Sequence, residues 1–205
     1  MKRIVKIAIA LCLCLSLVSC SKNEPQKVVD GFLNAVKHRD FKKAAQYYGA
    51  DIDELSDSFD ELAEQAESVS PAVRKMLNKF IDKLTGFEYD ILQTKIDGDK
   101  AEVNVRIKTY DFGSLVSKFM SDYLLESIGL AFSGADQTDI ERKLVESLDD
   151  MIDEMKDKDY VETTTFYLTK KDNKWIIDKL PNTVLNVMMG NLYSVLDDVE
   201  DMFDF

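Results

Sequence analysis

Histidine and tryptophan each occur once in this 205-residue chain, and cysteine and proline three times each; these shortages close off whole classes of chemistry. All three cysteines, Cys12, Cys14 and Cys20, fall within the first 20 residues, so whatever folds after them has no disulfide and no cysteine-built zinc site. A lone histidine, His38, leaves room for one His-dependent triad at most, and no Gly-x-Ser-x-Gly elbow is present. His38 stands between Lys37 and Arg39 at the expected end of a helix, where an imidazolium suits the dipole. Capping or surface exposure explains it more simply than catalysis. The eight glycines are too scattered to cradle phosphates, and no nucleotide, flavin or metal motif appears, so no cofactor is expected. Basic charge is also short, 26 Lys+Arg against 38 Asp+Glu, which argues against nucleic acid as a partner.

One greasy run is present, from Ile7 to Val18 behind Lys2, Arg3 and Lys6. It is well short of the roughly 20 apolar residues of a permanent span and has the build of a secretion signal. It closes on Leu17-Val18-Ser19-Cys20, which resembles a bacterial lipobox. The resemblance implies a signal peptide over 1–19, a diacylglycerol on the Cys20 thiol and a short lipidated tether over 20–24. Discarding 19 of 205 residues leaves 186, enough for one domain with a proper core. It also removes three basic residues and no acidic one, moving the net charge from -12 to -15.

The remaining charge is uneven. From Cys20 to Lys43, six basic residues (Lys22, Lys27, Lys37, Arg39, Lys42, Lys43) outnumber three acidic ones (Glu24, Asp30, Asp40), so the rest of the chain carries -18. A basic end beside a tether suits an anionic leaflet; ordinary solvated helix faces account for the same residues.

Periodicity predicts the organisation. Val28, Val29, Phe32, Leu33 and Val36 recur at helical spacing, giving a helix to about Lys37. Asp40 can cap a second over Phe41–Tyr48, ended by Gly49. A third is expected from Asp51 or Asp53 through Glu67, and Ser70-Pro71 opens a fourth to Leu84, closed by Gly86. The period then falls to two: Phe87, Tyr89 and Ile91 alternate, the phase slips near Leu92, and Asp97-Gly98-Asp99-Lys100 supplies a hairpin turn. On the return strand Ala101, Val103, Val105 and Ile107 share one face, leaving the other wet. Helical spacing resumes from Leu115 to Leu130, and Thr138 with Glu141 forms a capping box for the next helix. A second hairpin pairs Tyr160–Lys170 with Lys174–Leu180, and Pro181 opens one long last helix reaching Phe203. The expected fold is α+β: a curved antiparallel sheet of two hairpins packed by N-terminal helices, with a helical insertion at about 113–158 and a C-terminal helix, in a single domain over 25–205.

The stretch from Val28 to Lys37, followed by Asp40 to Tyr48, resembles the opening helices of the nuclear-transport-factor-like, or ketosteroid-isomerase-like, superfamily, with its cystatin-like cone. The likeness continues through Asp97–Val103 and through Lys170-Lys171-Asp172-Asn173-Lys174-Trp175-Ile176-Ile177. Small lipoproteins of Gram-positive bacteria often carry such a domain. The resemblance implies a conical ligand cavity and a homodimer formed through the sheet, while the insertion and the last helix could fill or lid that cone.

Candidate ligand-binding residues are Tyr47, Tyr110, Tyr167 and Trp175, with packing against the first helix the simpler role for Trp175. Enzymes of this superfamily use a carboxylate base and a hydroxyl donor, which here would be Asp111 or Asp178 with Tyr47, Tyr110 or Tyr167. Acidic pairs such as Asp149 and Asp150 read as a solvated face; a calcium-loop pattern is missing, and no metal is expected. The expected function is a lipoprotein anchored through Cys20 at the extracytoplasmic face of the cell membrane, presenting a non-catalytic binding domain to a small apolar ligand or an envelope protein. Ser21 permits outer-membrane sorting in a Gram-negative host. The alternatives are an isomerase or dehydratase acting in the cone, and a structural accessory module.

Overall fold

The computed structural model describes residues 24–49, 69–133, 137–178 and 180–203. In chain order these form α1 (Glu24–Lys37), α2 (Phe41–Ala45), α3 (Pro71–Thr85), β1 (Glu88–Asp97), β2 (Lys100–Thr109), α4 (Phe112–Ser133), α5 (Gln137–Glu154), β3 (Tyr160–Lys171), β4 (Lys174–Ile177), α6 (Asn182–Met188) and α7 (Leu192–Phe203). The strands make one antiparallel sheet in the order β1-β2-β3-β4, and the fold is α+β as expected. The chain forms two compact units, one from Met1–Ile52, Ile91–Val105 and Thr165–Leu180, the other from Asp53–Asp90, Arg106–Thr164 and Pro181–Phe205. The expected helix over 51–67 and the tether with Cys20 lie outside the described residues.

In the first unit, α1 buries Val29, Phe32, Leu33 and Ala35 and packs on β4. The Phe32 ring meets Phe166 of β3 edge-on, 6.1 Å between centroids. Full burial of such side chains contributes about 1.5–3 kcal/mol each. Asp40 caps α2 through its Oδ1, which accepts the Lys43 amide at 3.0 Å. The helix expected through Tyr48 ends at Ala45 because β4 offers a competing partner. Ile177 donates its N–H to the Tyr47 carbonyl at 2.9 Å and accepts the Gly49 amide at 2.8 Å, so Tyr48 forms a parallel bridge with Ile177. The β3–β4 turn is Asp172-Asn173, both in the left-handed region at φ 48 and 67, the demand of a type I′ hairpin. Register pairs Leu168 with Ile177 and Lys170 with Trp175, and the strand ends at Ile177 rather than Leu180.

The second unit is mainly helical. Ser70 Oγ accepts the Val73 amide at 3.4 Å and Pro71 opens α3. Met76, Leu115, Met151 and Ile152 form a buried cluster drawn from α3, α4 and α5, and Phe80 meets Phe112 edge-on at 5.1 Å. Helix α5 starts at Gln137, a residue before the Thr138 expected to cap it.

The last helix, expected to be continuous, is two. Gly190 and Asn191 adopt φ 53 and 66 and stop α6, and Asn186 then accepts the Ser194 amide at 2.9 Å in the first turn of α7. A Cβ on Gly190 would collide with the Tyr110 carbonyl, and the Gly190 carbonyl accepts the Gly113 amide at 2.9 Å. The left-handed φ and the Cβ clash together leave glycine as the residue that fits.

Along β1 the burial alternates and then slips at Leu92-Gln93, both exposed, before resuming at Thr94. That is the expected phase change. On β2, Ala101, Val103, Val105 and Ile107 are buried as their alternation required.

Candidate functional site

Within the second unit a groove of about 440 Å³ opens between the start of α4, the end of α5 and the segment leading to β3. Asp111 sits just before α4 and caps it: Oδ1 accepts the Ser114 amide at 2.8 Å and Oδ2 the Ser114 hydroxyl at 2.7 Å. Carboxylates suit this position because a helix N-terminus carries unsatisfied N–H groups and partial positive charge. Leu115 and Met151, both nearly buried, with Met155 give the groove an apolar floor. Lys118 and Glu154 approach to 3.7 Å and belong to its rim with Lys156, Asp157 and Asp159.

Two lysines of α3 hold the α5 wall of this groove. Lys79 Nζ donates to Asp149 at 2.8 Å and to Asp153 at 2.6 Å. The hydrogen bond it donates to Asp149, then that to Asp153, raises the Lys79 pKa, and the bond Asp153 accepts from Lys79 holds that carboxylate below its usual value. One turn on, Lys83 Nζ donates to the Met155 carbonyl at 2.6 Å and lies 4.5 Å from the centre of the Tyr110 ring. Burial lowers the Lys83 pKa, with the positive charge of Lys156 adding to it. An ammonium on the last carbonyls of a helix is also favoured by its dipole.

Asp149, expected on a solvated face, is instead drawn into this brace by Lys79. Its signal is nonetheless in the sequence: Lys79 and Lys83 stand four apart, as do Asp149 and Asp153, so each pair shares a helix face.

The four candidate ligand residues are not brought together. Tyr47 follows α2 with its ring flush on α1, where a Cβ on Gly31 would lie 2.5 Å from the ring. Trp175 is buried, on the same sheet face as Phe166 and Leu168, and its indole N–H has no acceptor among the described residues. Lys170 Nζ lies 5.8 Å from the Trp175 ring centre. Tyr167 points to the opposite face and is 47% exposed. Tyr110 belongs to the second unit, half-buried against Phe112 at 6.2 Å and Lys83. Of the candidate bases, Asp111 is the helix cap, and Asp178 Oδ2 accepts the Thr169 hydroxyl at 2.7 Å. His38 Nδ1 bonds the Asn34 carbonyl at 2.7 Å near the end of α1. Tyr160 has its pKa raised by burial first, then by the nearby charges of Glu162 and Asp111. Among the described residues no group of three or more His, Cys, Asp or Glu could hold a metal ion, and no helix is long and apolar enough to cross a membrane.

No protein-family model and no curated protein matches the chain. Among solved structures it is similar to an inferred lipoprotein (ycdA) of Bacillus subtilis subsp. subtilis, with 18% sequence identity and a TM-score of 0.41. The match covers 71% of this chain and 48% of that one, so this chain spans about half the length of that protein.

Proposed function

We propose that the protein is a lipoprotein anchored through Cys20, presenting its α+β domain outside the cytoplasmic membrane as a binding module. The observation that carries this reading is the run Lys2–Val18 closed by Leu17-Val18-Ser19-Cys20. Two hairpins separated by the pair α4 and α5 support the nuclear-transport-factor-like reading of the domain. Binding rather than conversion is favoured by the carboxylates of Asp111 and Asp178, which are committed to Ser114 and Thr169. The groove over Leu115, Met151 and Met155 is the proposed seat of a small ligand with an apolar part.

The anchor is tested in cells. Labelled palmitate is expected to enter the wild-type chain and to disappear with Cys20→Ala, which moves the protein from the membrane to the soluble fraction. A Cys20→Ala chain still labelled and still in the membrane would overturn the reading. For the groove, Met155→Glu is expected to abolish the fluorescence gain of the neutral apolar dye Nile red; equal dye binding by wild type and variant would remove the groove as the seat.

A further inference from the structure

We infer that the corner between α1 and α2 is a second membrane contact, for an anionic lipid surface, which together with the tether lays α1 along the leaflet. The inference rests on the anchored reading of Cys20 and adds to it the surface chemistry and the orientation.

The first observation is how charge divides between the units. From Cys20 on, the first unit has 12 Lys+Arg against 9 Asp+Glu, a net of +3, and the second has 11 against 29, a net of -18. The surplus in the first unit comes entirely from residues 20–43; its other residues balance, six of each sign. An anionic surface therefore attracts one unit and repels the other.

The second observation is the corner itself. Arg39 takes a left-handed φ of 57, and the Asp40 amide reaches back to the Ala35 carbonyl at 2.9 Å while the Arg39 amide bonds Val36 at 2.9 Å. This tight closure of α1 carries the chain from Lys37 to Lys42 and Lys43 of α2 within a single turn. Arg39, Lys42 and Lys43 are exposed. The one acid in the corner, Asp40, gives a carboxylate oxygen to the Lys43 amide as the α2 cap.

The third is spacing. Cys20 precedes α1 by four residues, and the 14 residues of α1 span about 21 Å at 1.5 Å each. That is about two and a half times the screening length at physiological salt, so the tether and the corner touch the leaflet as separate points. One attachment leaves a domain free to pivot; two fix the axis of the helix that joins them.

Each basic residue near an anionic surface contributes about fivefold to partitioning. The test uses the chain from residue 20 on with Cys20→Ala, which contains every described element and no lipid. It is expected to sediment with vesicles holding about 30% phosphatidylglycerol in phosphatidylcholine at about 50 mM salt, and to be released as salt rises toward ~0.5 M. It should not sediment with pure phosphatidylcholine. Lys42→Gln with Lys43→Gln should weaken binding about 25-fold, Lys42→Arg with Lys43→Arg should retain it, and Lys108→Gln with Lys143→Gln in the second unit, both exposed, should leave it unchanged. Failure to bind either vesicle, equal binding to both, or a Lys42/Lys43 glutamine variant that binds as the parent would each overturn the inference. Because this chain carries no lipid, those results are independent of palmitate labelling, and either reading can fail alone.

Discussion

The two units spend their cations differently. In the second, Lys79, Arg106, Lys118, Arg142 and Lys158 each face a carboxylate of the same unit, at 2.6 to 3.7 Å. In this body, with a net charge of -18, Lys79 joins α3 to α5 and Lys118 joins α4 to α5. In the first unit the described core is aliphatic and aromatic, built on Phe32, Leu33, Phe166, Leu168 and Trp175, and Lys42 and Lys43 of the α1–α2 corner are exposed. Lys79 ties two helices of one unit together, while Lys42 and Lys43 of the other lie at its surface.

The sharpest break in this comparison comes from the cores. Phe166→Ala in the first unit should cost about 4 kcal/mol and Ile152→Ala in the second about 3 kcal/mol. Calorimetry of both variants shows whether the units melt together. If they do, each substitution lowers one shared transition; two transitions moving separately would make the units independent folding bodies. Next is Gly190→Val, which adds strain at a left-handed φ and a clash with the Tyr110 carbonyl, about 3 kcal/mol by thermal denaturation.

Smaller effects follow for the brace. Asp153 is held below its unfolded pKa of 3.8, so its stabilisation is present above that value and lost as pH falls through the folded one. Lys79→Met should therefore flatten the decline in melting temperature below about pH 4. At the alkaline end the two lysines act oppositely. Lys79, raised above 10.5, stabilises below that pH and loses its contribution as pH rises through its folded value. Lys83, lowered below 10.5, makes stability increase between its folded value and 10.5, a gain that should vanish in Lys83→Met. The least effect on stability belongs to Lys42→Gln with Lys43→Gln, expected within about 0.5 kcal/mol of the parent. A larger loss would mean that the corner is structural, like the brace.

Local chemistry was readable wherever one short segment decided the outcome. Ser70-Pro71 opened α3, Gly86 closed it, and the strict alternation on β2 identified its buried face. The phase slip at Leu92 could be seen because the wet and dry faces exchange there. What could not be read depended on distant partners. Nothing near Tyr48 announces that Ile177 will pair with it and shorten α2. Gly190-Asn191 is a helix-stopping pair that the apolar periodicity from Val184 to Phe203 concealed, and its necessity comes from Tyr110. The candidate ligand residues have only their type in common, and type does not say that Tyr167 and Trp175 fall on opposite faces of adjacent strands. The Lys79–Asp149–Asp153 brace needed α3 and α5 to be recognised as neighbours.

Tyr48 and Leu180 share a hydrogen bond across 132 residues, its hydroxyl accepting the Leu180 amide at 3.3 Å. The first unit cannot close until that late segment exists. In synthesis from the N-terminus α1 is made early, and its Val29, Phe32 and Leu33 wait without β4 to cover them. So large a loop is slow to close. Assembly of the first unit therefore waits for the last quarter of the chain, and the helix made first is among the last of its elements to be covered.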